Sequence, residues 1–421
     1  MKEDQILTEI TETCEHCNFS NRCLEEDCTL WRIEQIVVNQ EDASEMSKLR
    51  VLELFGGIGA CSKALERLGI DYEIADYVEI DKYAVRSFNA MHNTNFPIQD
   101  VTTWDKDIKV DLLMHGSPCQ DFSLSGLQAG GDEGSGTRSS LMYETIRIVQ
   151  KIKPKYVVWE NVKNLLSKKH IHNFNNYLNK MSEIGYINYY QVLNAKDYGI
   201  PQNRERVFTI SIRKDIDKGF VFPQPQELKL RLKDMLEDEV DEKYYLSDEI
   251  VKKYIPSNES ENTNVIGNLV MNKWQEHMKR IYDVNKYSPA INTMQGGNLE
   301  PKILCLNSKG GRNGVEGLQP SLKDRIYDSN GIATCCATSN FFMPNYTDGL
   351  RIRKLTPKEC YRLMGFDDED FEKAAKVNSN AQLYKQAGNS IVVNVLEAIL
   401  TNLLLEQDTQ QERQTTIYDY V

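Results

Sequence analysis

Between Leu49 and Ile212, short apolar runs alternate with segments of helical periodicity, and this alternation constrains the fold more than any other feature. Each run has the length of a buried strand and is bounded by turn residues. Strands and helices that alternate in this way predict a doubly wound, mostly parallel α/β sheet. The predicted strands that matter most below are 49–55, 73–78, 110–114, 156–159 and 186–193.

The first strand leads into a glycine-rich turn over 56–59, and a helix is predicted over 62–68. Strand, glycine turn and helix open nucleotide-binding βαβ units. Glu79 ends the second strand 22 residues after Gly57, where an acidic side chain holds ribose hydroxyls in such folds, although a solvated carboxylate is an equal alternative. Asp100 could accept a hydrogen bond from an adenine amine, or serve a cap or turn.

A cysteine follows the predicted strand 110–114, in the loop His115-Gly116-Ser117-Pro118-Cys119-Gln120. Gly116 lets the backbone bend, and Pro118 fixes one dihedral angle. A cysteine held just past a strand end is well placed for chemistry. Taken alone, Cys119 is more often a small buried apolar residue, so the case for a nucleophile depends on the rest of the chain.

Charged residues accompany two later strands. Glu160-Asn161 comes directly after the run 156–159, on the same predicted edge as Cys119, so the carboxylate could share its pocket. Arg204 and Arg206 alternate along an extended segment and therefore share one face. Surface arginines are usually solvated, so these two alone carry little weight.

From residue 213 the regular alternation stops, and we predict a separate, irregular, mostly β domain over 213–350. Its acidic part, 215–250, has 5 basic and 11 acidic side chains, whereas 270–354 has 12 basic and 7 acidic. The basic excess permits contacts with phosphates. Helical patterning returns at Thr356, in a capping box, and a polar tail is predicted over 406–421.

Residues 1–47 are predicted to be a cysteine-rich segment and linker. Four cysteines within 15 residues, Cys14, Cys17, Cys23 and Cys28, are too dense to be scattered core thiols. Tetrahedral zinc takes four sulfur or nitrogen ligands, so we predict a structural zinc site. An iron–sulfur cluster and a redox-active thiol cluster are the alternatives.

The whole chain has 421 residues, 40% of them hydrophobic, and a net charge of −12. No apolar run has the length of a membrane span, and the acidic N-terminus does not resemble a signal peptide. Ten cysteines without a secretory signal favour thiols or metal ligands over disulfides. We therefore expect a cytoplasmic protein with no membrane partner.

Taken together, these features resemble the cytosine-C5 DNA methyltransferase family, of the prokaryotic or phage type, over residues 49–405. The single motifs are weak or moderate, but their joint order is highly specific. In chain order they are Phe55-Gly56-Gly57-Ile58-Gly59, Glu79, Gly116-Ser117-Pro118-Cys119-Gln120, Glu160-Asn161-Val162, Gln202-Asn203-Arg204-Glu205-Arg206, Arg353-Lys354-Leu355-Thr356 with Glu359 and Arg362, Gly365-Phe366, and Gln386-Ala387-Gly388-Asn389-Ser390.

The resemblance implies a Rossmann-like domain that binds S-adenosylmethionine. It also implies that this catalytic domain is discontinuous, from 48–212 and 351–405, with 213–350 inserted as a target-recognition domain. Duplex DNA would lie in the cleft between them. The residues implied at the cofactor are Phe55, Gly56, Gly57, Gly59, Glu79, Ile80, Asp100, Pro118, Asn389 and Ser390.

The resemblance further implies that a flipped-out cytosine is attacked at C6 by the Cys119 thiolate, so that C5 can accept a methyl group. Glu160 would hold the N3 and N4 edge of the base, and Arg206 the O2 side. The product is 5-methylcytosine in a specific DNA sequence. We expect a monomer, with a cognate restriction endonuclease as a candidate partner. The implied catalytic set also includes Arg204, Asn161 and Gln120.

Three other functions compete with this interpretation. An RNA (tRNA) cytosine-C5 methyltransferase would use the same core, but an insert of about 140 residues suits a specific duplex site. A nicotinamide-dependent oxidoreductase would explain the glycine turn, but Ser62 stands where its third glycine is expected. A catalytically dead DNA-binding regulator would have lost its nucleophile, and Cys119 is present.

Overall fold

The computed structural model of the protein describes residues 48–118, 131–132, 134–251, 253–256, 264–269, 280–291, 301–306 and 350–405. The strands in the first half are β1 (Leu49–Leu54), β2 (Tyr72–Val78), β3 (Leu112–His115), β4 (Tyr156–Val162), β5 (Tyr186–Asn194), β6 (Gln202–Asn203) and β7 (Glu205–Arg213). Six of them form a central sheet in the order β2-β1-β3-β4-β7-β5.

The central sheet has a parallel centre and an antiparallel side. β3 pairs in parallel with β1 and β4, whereas β7 is antiparallel to both β4 and β5. The carboxyl ends of β1, β3 and β4 therefore meet the amino end of β7 at one edge, where Leu54 lies opposite His115 and Val162 opposite Arg206. This edge gathers the residues that the sequence singled out.

Helices cover the sheet. The described α-helices are α1 (Ala60–Arg67), α2 (Lys82–His92), α3 (Met142–Ile152), α4 (Ile171–Glu183), α5 (Asp248–Val251), α6 (Pro357–Arg362), α7 (Asp368–Ala375), α8 (Asn380–Asn389) and α9 (Val393–Leu400). The predicted capping box starts α6: the Thr356 hydroxyl accepts from the Glu359 amide at 3.2 Å, and the Glu359 carboxylate accepts from the Thr356 amide at 2.8 Å.

Both faces of the central sheet are buried. Leu52 and Leu113 pack in one cluster with Phe174 of α4. Successive side chains on a strand point to opposite faces, and the neighbouring Val51 and Leu112 are also fully buried. Burial on both faces requires helices on both sides, so the predicted doubly wound α/β fold is confirmed.

The described residues include one helical stretch, Asn380–Leu405, that is long and apolar enough to cross a membrane, with a mean hydropathy of 1.5. Half of its most apolar window is buried within the protein. Ser390 separates α8 from α9, and Leu396 and Ile399 of α9 are fully buried. These features are typical of core helices in a soluble protein.

The remaining strands are β8 (Tyr254–Pro256), β9 (Val265–Leu269), β10 (Arg280–Tyr282), β11 (Ser288–Pro289), β12 (Lys302–Leu306) and β13 (Leu350–Lys354). Five of them form a second sheet in the order β13-β12-β10-β9-β8, and β11 pairs in parallel with β6. The described part of 213–350 therefore contains short strands, irregular segments and the short helix α5, and its separation as a domain stays a prediction.

Candidate active site

The glycine-rich turn after β1 has backbone dihedral angles that residues with a side chain rarely adopt. Phe55, Gly57 and Gly59 all have positive φ, at 54°, 56° and 81°. A Cβ at Gly56 would lie 2.6 Å from the Tyr77 ring, so only glycine lets the backbone lie this close to the ring. Phe55 is not a glycine, so its positive φ means a strained backbone. Backbone strain of this kind tends to occur at ligand sites.

Glu79 holds the glycine turn from the end of β2. Its carboxylate accepts from the Gly57 amide at 3.1 Å and from the Asp81 amide at 2.8 Å. Burial raises the pKa of the Glu79 carboxyl, because desolvation disfavours its charged form. The next residue, Ile80, is an apolar side chain that is 67% exposed. It is therefore available to contact a ligand bound near Glu79.

Asp100 makes a local turn. Its carboxylate accepts from the Thr102 amide at 2.9 Å and from the Thr102 hydroxyl at 2.8 Å. The backbone amide of Gln99 donates to the Glu79 carbonyl at 3.0 Å, which brings this loop next to the end of β2. The turn role was the alternative prediction for Asp100; contact with an adenine remains a prediction.

A cavity lies between the glycine turn and the segment that follows α8. Five of the residues predicted at the cofactor line it: Phe55, Gly56, Gly57, Asn389 and Ser390. Met114 and Gly116, at the end of β3, complete one side of it. Sequence positions that are far apart therefore meet in one pocket, at the carboxyl edge of the sheet where α/β folds bind ligands.

Glu53 also lines this cavity and was not predicted. Its side chain is 2% exposed, and it accepts hydrogen bonds from the amide and the hydroxyl of Ser62 at the start of α1. Burial raises its pKa from 4.5 to about 7. The available signal was the acidic residue within the otherwise apolar run Val51-Leu52-Glu53-Leu54, since buried carboxylates need a local partner.

The loop after β3 is fixed by two side chains of β4. Trp159 Nε1 donates to Ser117 Oγ at 3.0 Å, and Asn161 Nδ2 donates to the Ser117 carbonyl at 3.2 Å. Asn161 is 1% exposed, so it acts here by positioning the loop. Half-buried Pro118 follows, and Cys119 and Gln120 lie outside the described residues.

His115, at the end of β3, is fully buried beside this loop. Its Nε2 lies 3.0 Å from the Tyr177 hydroxyl, and its ring stacks on that of Trp159. Burial lowers the pKa of His115 from 6.5 to about 3. The ring is therefore neutral at physiological pH and braces the strand end.

Glu160 and Arg206, predicted to act together, are brought into contact. Arg206 Nε lies 2.9 Å from Glu160 Oε1, and both side chains are mostly buried. A Cβ built on Gly116 would lie 3.9 Å from Glu160 Oε2, so the carboxylate faces the loop that leads to Cys119. The antiparallel pairing of β4 with β7 causes this approach.

Arg204 does not join this pair. It is 3% exposed, and its guanidinium donates to the backbone carbonyls of Ile291, Gly388 and Ser390. Gln202, which is fully buried, bonds to the Ile291 amide at 3.1 Å and the Leu363 carbonyl at 2.7 Å. Both residues connect separate segments around the site.

The predicted metal ligands Cys14, Cys17, Cys23 and Cys28 lie outside the described residues. Among the residues that the structure describes, no group of three or more His, Cys, Asp or Glu side chains is arranged to hold a metal ion. The zinc site stays a prediction.

Comparisons with known proteins show the family of this chain. The family described as C-5 cytosine-specific DNA methylase matches residues 49–404. The orphan methyltransferase M.SPBetaI of Bacillus phage SPbeta is 34% identical, over 85% of this chain and 98% of its own length. The type II methyltransferase M.HhaI of Haemophilus parahaemolyticus is 32% identical, over 85% of this chain and 95% of its own.

The fold has solved counterparts. The crystal structure of the S. pombe Dnmt2 methyltransferase matches with a TM-score of 0.56 and 21% identity, over 85% of this chain and 99% of that one. The family match over most of the chain and the relatives above 30% identity agree with the order of motifs in the sequence. The protein therefore belongs to the C-5 cytosine-specific DNA methylase family and is a methyltransferase.

Proposed function

We propose that the protein transfers a methyl group from S-adenosylmethionine to C5 of a cytosine in a specific duplex DNA sequence, giving 5-methylcytosine. The observation that carries this proposal is the contact of 2.9 Å between Arg206 Nε and Glu160 Oε1, at the sheet edge where the loop from β3 leads to Cys119. A carboxylate and a guanidinium in this place can hold neighbouring groups of one cytosine ring, N3 and N4 on one side and O2 on the other.

The chemistry requires a nucleophile because C5 of cytosine is too weakly nucleophilic to take a methyl group directly. In the proposed reaction the Cys119 thiolate forms a bond to C6, and the ring electrons make C5 enamine-like. C5 then takes the methyl group and S-adenosylhomocysteine leaves. Loss of the C5 proton to a base and of the Cys119 thiolate restores the aromatic ring.

Glu160 and Arg206 would stabilise the charge that develops on the ring. Glu160 would hydrogen-bond the N3 and N4 edge and favour protonation at N3, and Arg206 would hold the O2 side. Their mutual contact fixes both side chains before a base arrives, so little reorganisation is needed during the reaction. Asn161, through Ser117, would hold the loop of Cys119 and Gln120 against them.

S-adenosylmethionine supplies an activated methyl group on a sulfonium, and we propose that the cavity beside the glycine turn forms part of its binding site, because residues predicted at the cofactor line it. Glu79 would hold its ribose and Asp100 its adenine, with Gly59, Ile80 and Pro118 nearby. Asn389 and Ser390 already line the same cavity. A cytosine within a duplex cannot reach this edge, so we propose that it is flipped out of the stack, at a cost of a few kcal/mol.

A duplex that contains 5-fluorocytosine tests the proposal. Fluorine at C5 cannot leave as a proton does, so the covalent link through Cys119 should persist in the presence of the methyl donor. Since the recognised sequence is not known, the probe is unmethylated genomic DNA copied with 5-fluorocytosine. We expect a denaturation-resistant adduct with wild type and none with Cys119→Ser; its absence with wild type would refute the mechanism. An adduct with fluorinated transfer RNA alone would favour the RNA alternative.

We also propose that the protein is a cytoplasmic monomer of a bacterial or phage system, either alone or with a cognate restriction endonuclease. For the N-terminal cysteines we propose one structural zinc ion per chain. Metal analysis of a reduced, anaerobically prepared sample checks this; a metal-free sample contradicts it, and stoichiometric iron with sulfide would indicate a cluster.

A further inference from the structure

Arg204 is bound to parts of the chain that are far apart in sequence. Its Nη1 donates to the Ile291 carbonyl at 2.8 Å, and its Nη2 donates to the carbonyls of Gly388 and Ser390 at 3.1 and 2.8 Å. A guanidinium is planar and presents its donors in a fixed fork. Arg204 therefore links the backbone at Ile291 to the backbone at Gly388 and Ser390 through one rigid group.

On one side lies the inserted region 213–350. Ile291 is 2% exposed and immediately precedes the segment 292–300. Both backbone polar groups of Ile291 are held from the catalytic domain, its carbonyl by Arg204 and its amide by Gln202 Oε1 at 3.1 Å. The parallel pairing of β11 with β6, with Ser288 opposite Gln202, brings the two regions together.

On the other side lies the wall of the cofactor cavity. Gly388 and Ser390 stand at the carboxyl end of α8, where carbonyl groups lack partners within the helix. A cation at such an end is favourable because it faces the negative pole of the helix dipole. Ser390 itself lines the cavity, so Arg204 stabilises the backbone of one pocket wall.

We infer that Arg204 is a positioning residue that couples recognition of DNA by the insert to binding of the methyl donor. This inference rests on the proposed function, which assigns DNA to the insert and S-adenosylmethionine to the cavity. DNA contacts that fix the chain at Ile291 would fix the guanidinium, and through it the wall at Ser390. By linkage, the methyl donor must then tighten DNA binding by the same factor.

The test measures binding of S-adenosylhomocysteine to the full-length protein by calorimetry, with and without a saturating unmethylated duplex that wild type methylates. We expect DNA to lower the Kd at least about fivefold for wild type. Arg204→Lys keeps the charge but lacks the fork that reaches both segments, so the ratio should fall to about one. Gln202→Leu should also lower the ratio, while leaving the Kd without DNA unchanged.

The matched control is Arg353→Lys. Arg353 is also 3% exposed, but it bonds to Glu359 and to the Lys354 carbonyl. Replacing an arginine that has only a structural role lowers thermal stability but leaves the ratio of the two Kd values at its wild-type value. We expect this result for Arg353→Lys. A wild-type ratio in both Arg204→Lys and Gln202→Leu, or a ratio of one in wild type, overturns the coupling alone. If wild type bound no S-adenosylhomocysteine or methylated no DNA, the proposed function would fail together with it.

Discussion

The pH dependence of stability should reveal the buried carboxyl of Glu53, and Glu53→Gln isolates it. Burial raises the pKa of Glu53 from 4.5 to about 7. Between these values the unfolded chain has lost the proton while the folded protein keeps it. Stability therefore falls as pH rises through this window, and the loss is complete above pH 7.

The size of the effect follows from the two pKa values. Each pKa unit corresponds to about 1.4 kcal/mol, so the change from 4.5 to about 7 corresponds to about 3 kcal/mol. Glutamine cannot ionise, yet its side-chain oxygen can still accept from the Ser62 amide. Chemical unfolding of both proteins from pH 4.5 to 8 should show wild type losing about 3 kcal/mol relative to Glu53→Gln.

The control is Glu66→Gln, because Glu66 lies on α1, the helix that carries Ser62, with 58% of its side chain exposed. The difference in unfolding free energy between Glu66→Gln and wild type should change little over the same pH range. Parallel stability profiles for wild type and Glu53→Gln would refute the reasoning, since they would mean that the carboxyl has the same pKa in both states. Burial, and then the nearby Glu53, raises the pKa of Tyr72 to about 12, so this tyrosine stays neutral throughout.

Three further substitutions test other parts of the structure. Glu160→Gln should lower kcat by about 10²- to 10³-fold in a radiolabelled methyl-transfer assay, with little change in Tm. Arg353→Met leaves the fully buried Glu359 without its charged partner and should cost about 3–5 kcal/mol in chemical unfolding. Gly365→Ala places a Cβ 2.6 Å from Asn394 Oδ1 at a φ of 84° and should cost about 1–3 kcal/mol, by the same measurement.

Two of these substitutions have a comparison elsewhere in the chain. Glu205→Gln alters an exposed carboxylate that pairs with Lys163, and methyl-transfer activity should be retained. An equal loss of kcat in Glu205→Gln and Glu160→Gln would contradict a specific role of Glu160 in the reaction. Gly69→Ala introduces a side chain at positive φ with nothing within 4 Å, so it isolates the backbone cost. If Gly365→Ala is no worse than Gly69→Ala, the contact with Asn394 is not a constraint.

The sequence was sufficient for the layered fold because periodicity reports burial directly. The predicted helix 62–68 corresponds to α1 (Ala60–Arg67), and the predicted strand 73–78 is β2 (Tyr72–Val78). The sequence pattern did not predict that β7 is antiparallel to β4. This direction arises because β5 is joined to β7 without a crossover helix. That pairing sets Arg206 against Glu160. The family resemblance named the two residues, but the sequence pattern could not place them in contact.

The roles of the two arginines could not be separated from sequence either. Alternation put Arg204 and Arg206 on one face, but burial and partners are decided by segments that arrive from elsewhere. Ile291 and Ser390 supply carbonyls to Arg204, and neither carries a side-chain signal for this. Backbone acceptors leave no trace in the identity of a residue, so contacts of this kind become visible only in three dimensions.

The wall formed by Asn389 and Ser390 has a consequence for synthesis of the protein. The chain emerges from the ribosome with the glycine turn first, and that turn lies on the opposite side of the cavity. The final wall becomes available only after nearly all of the described residues have been made. A nascent chain therefore cannot complete this cavity until almost the whole of the described part has been made.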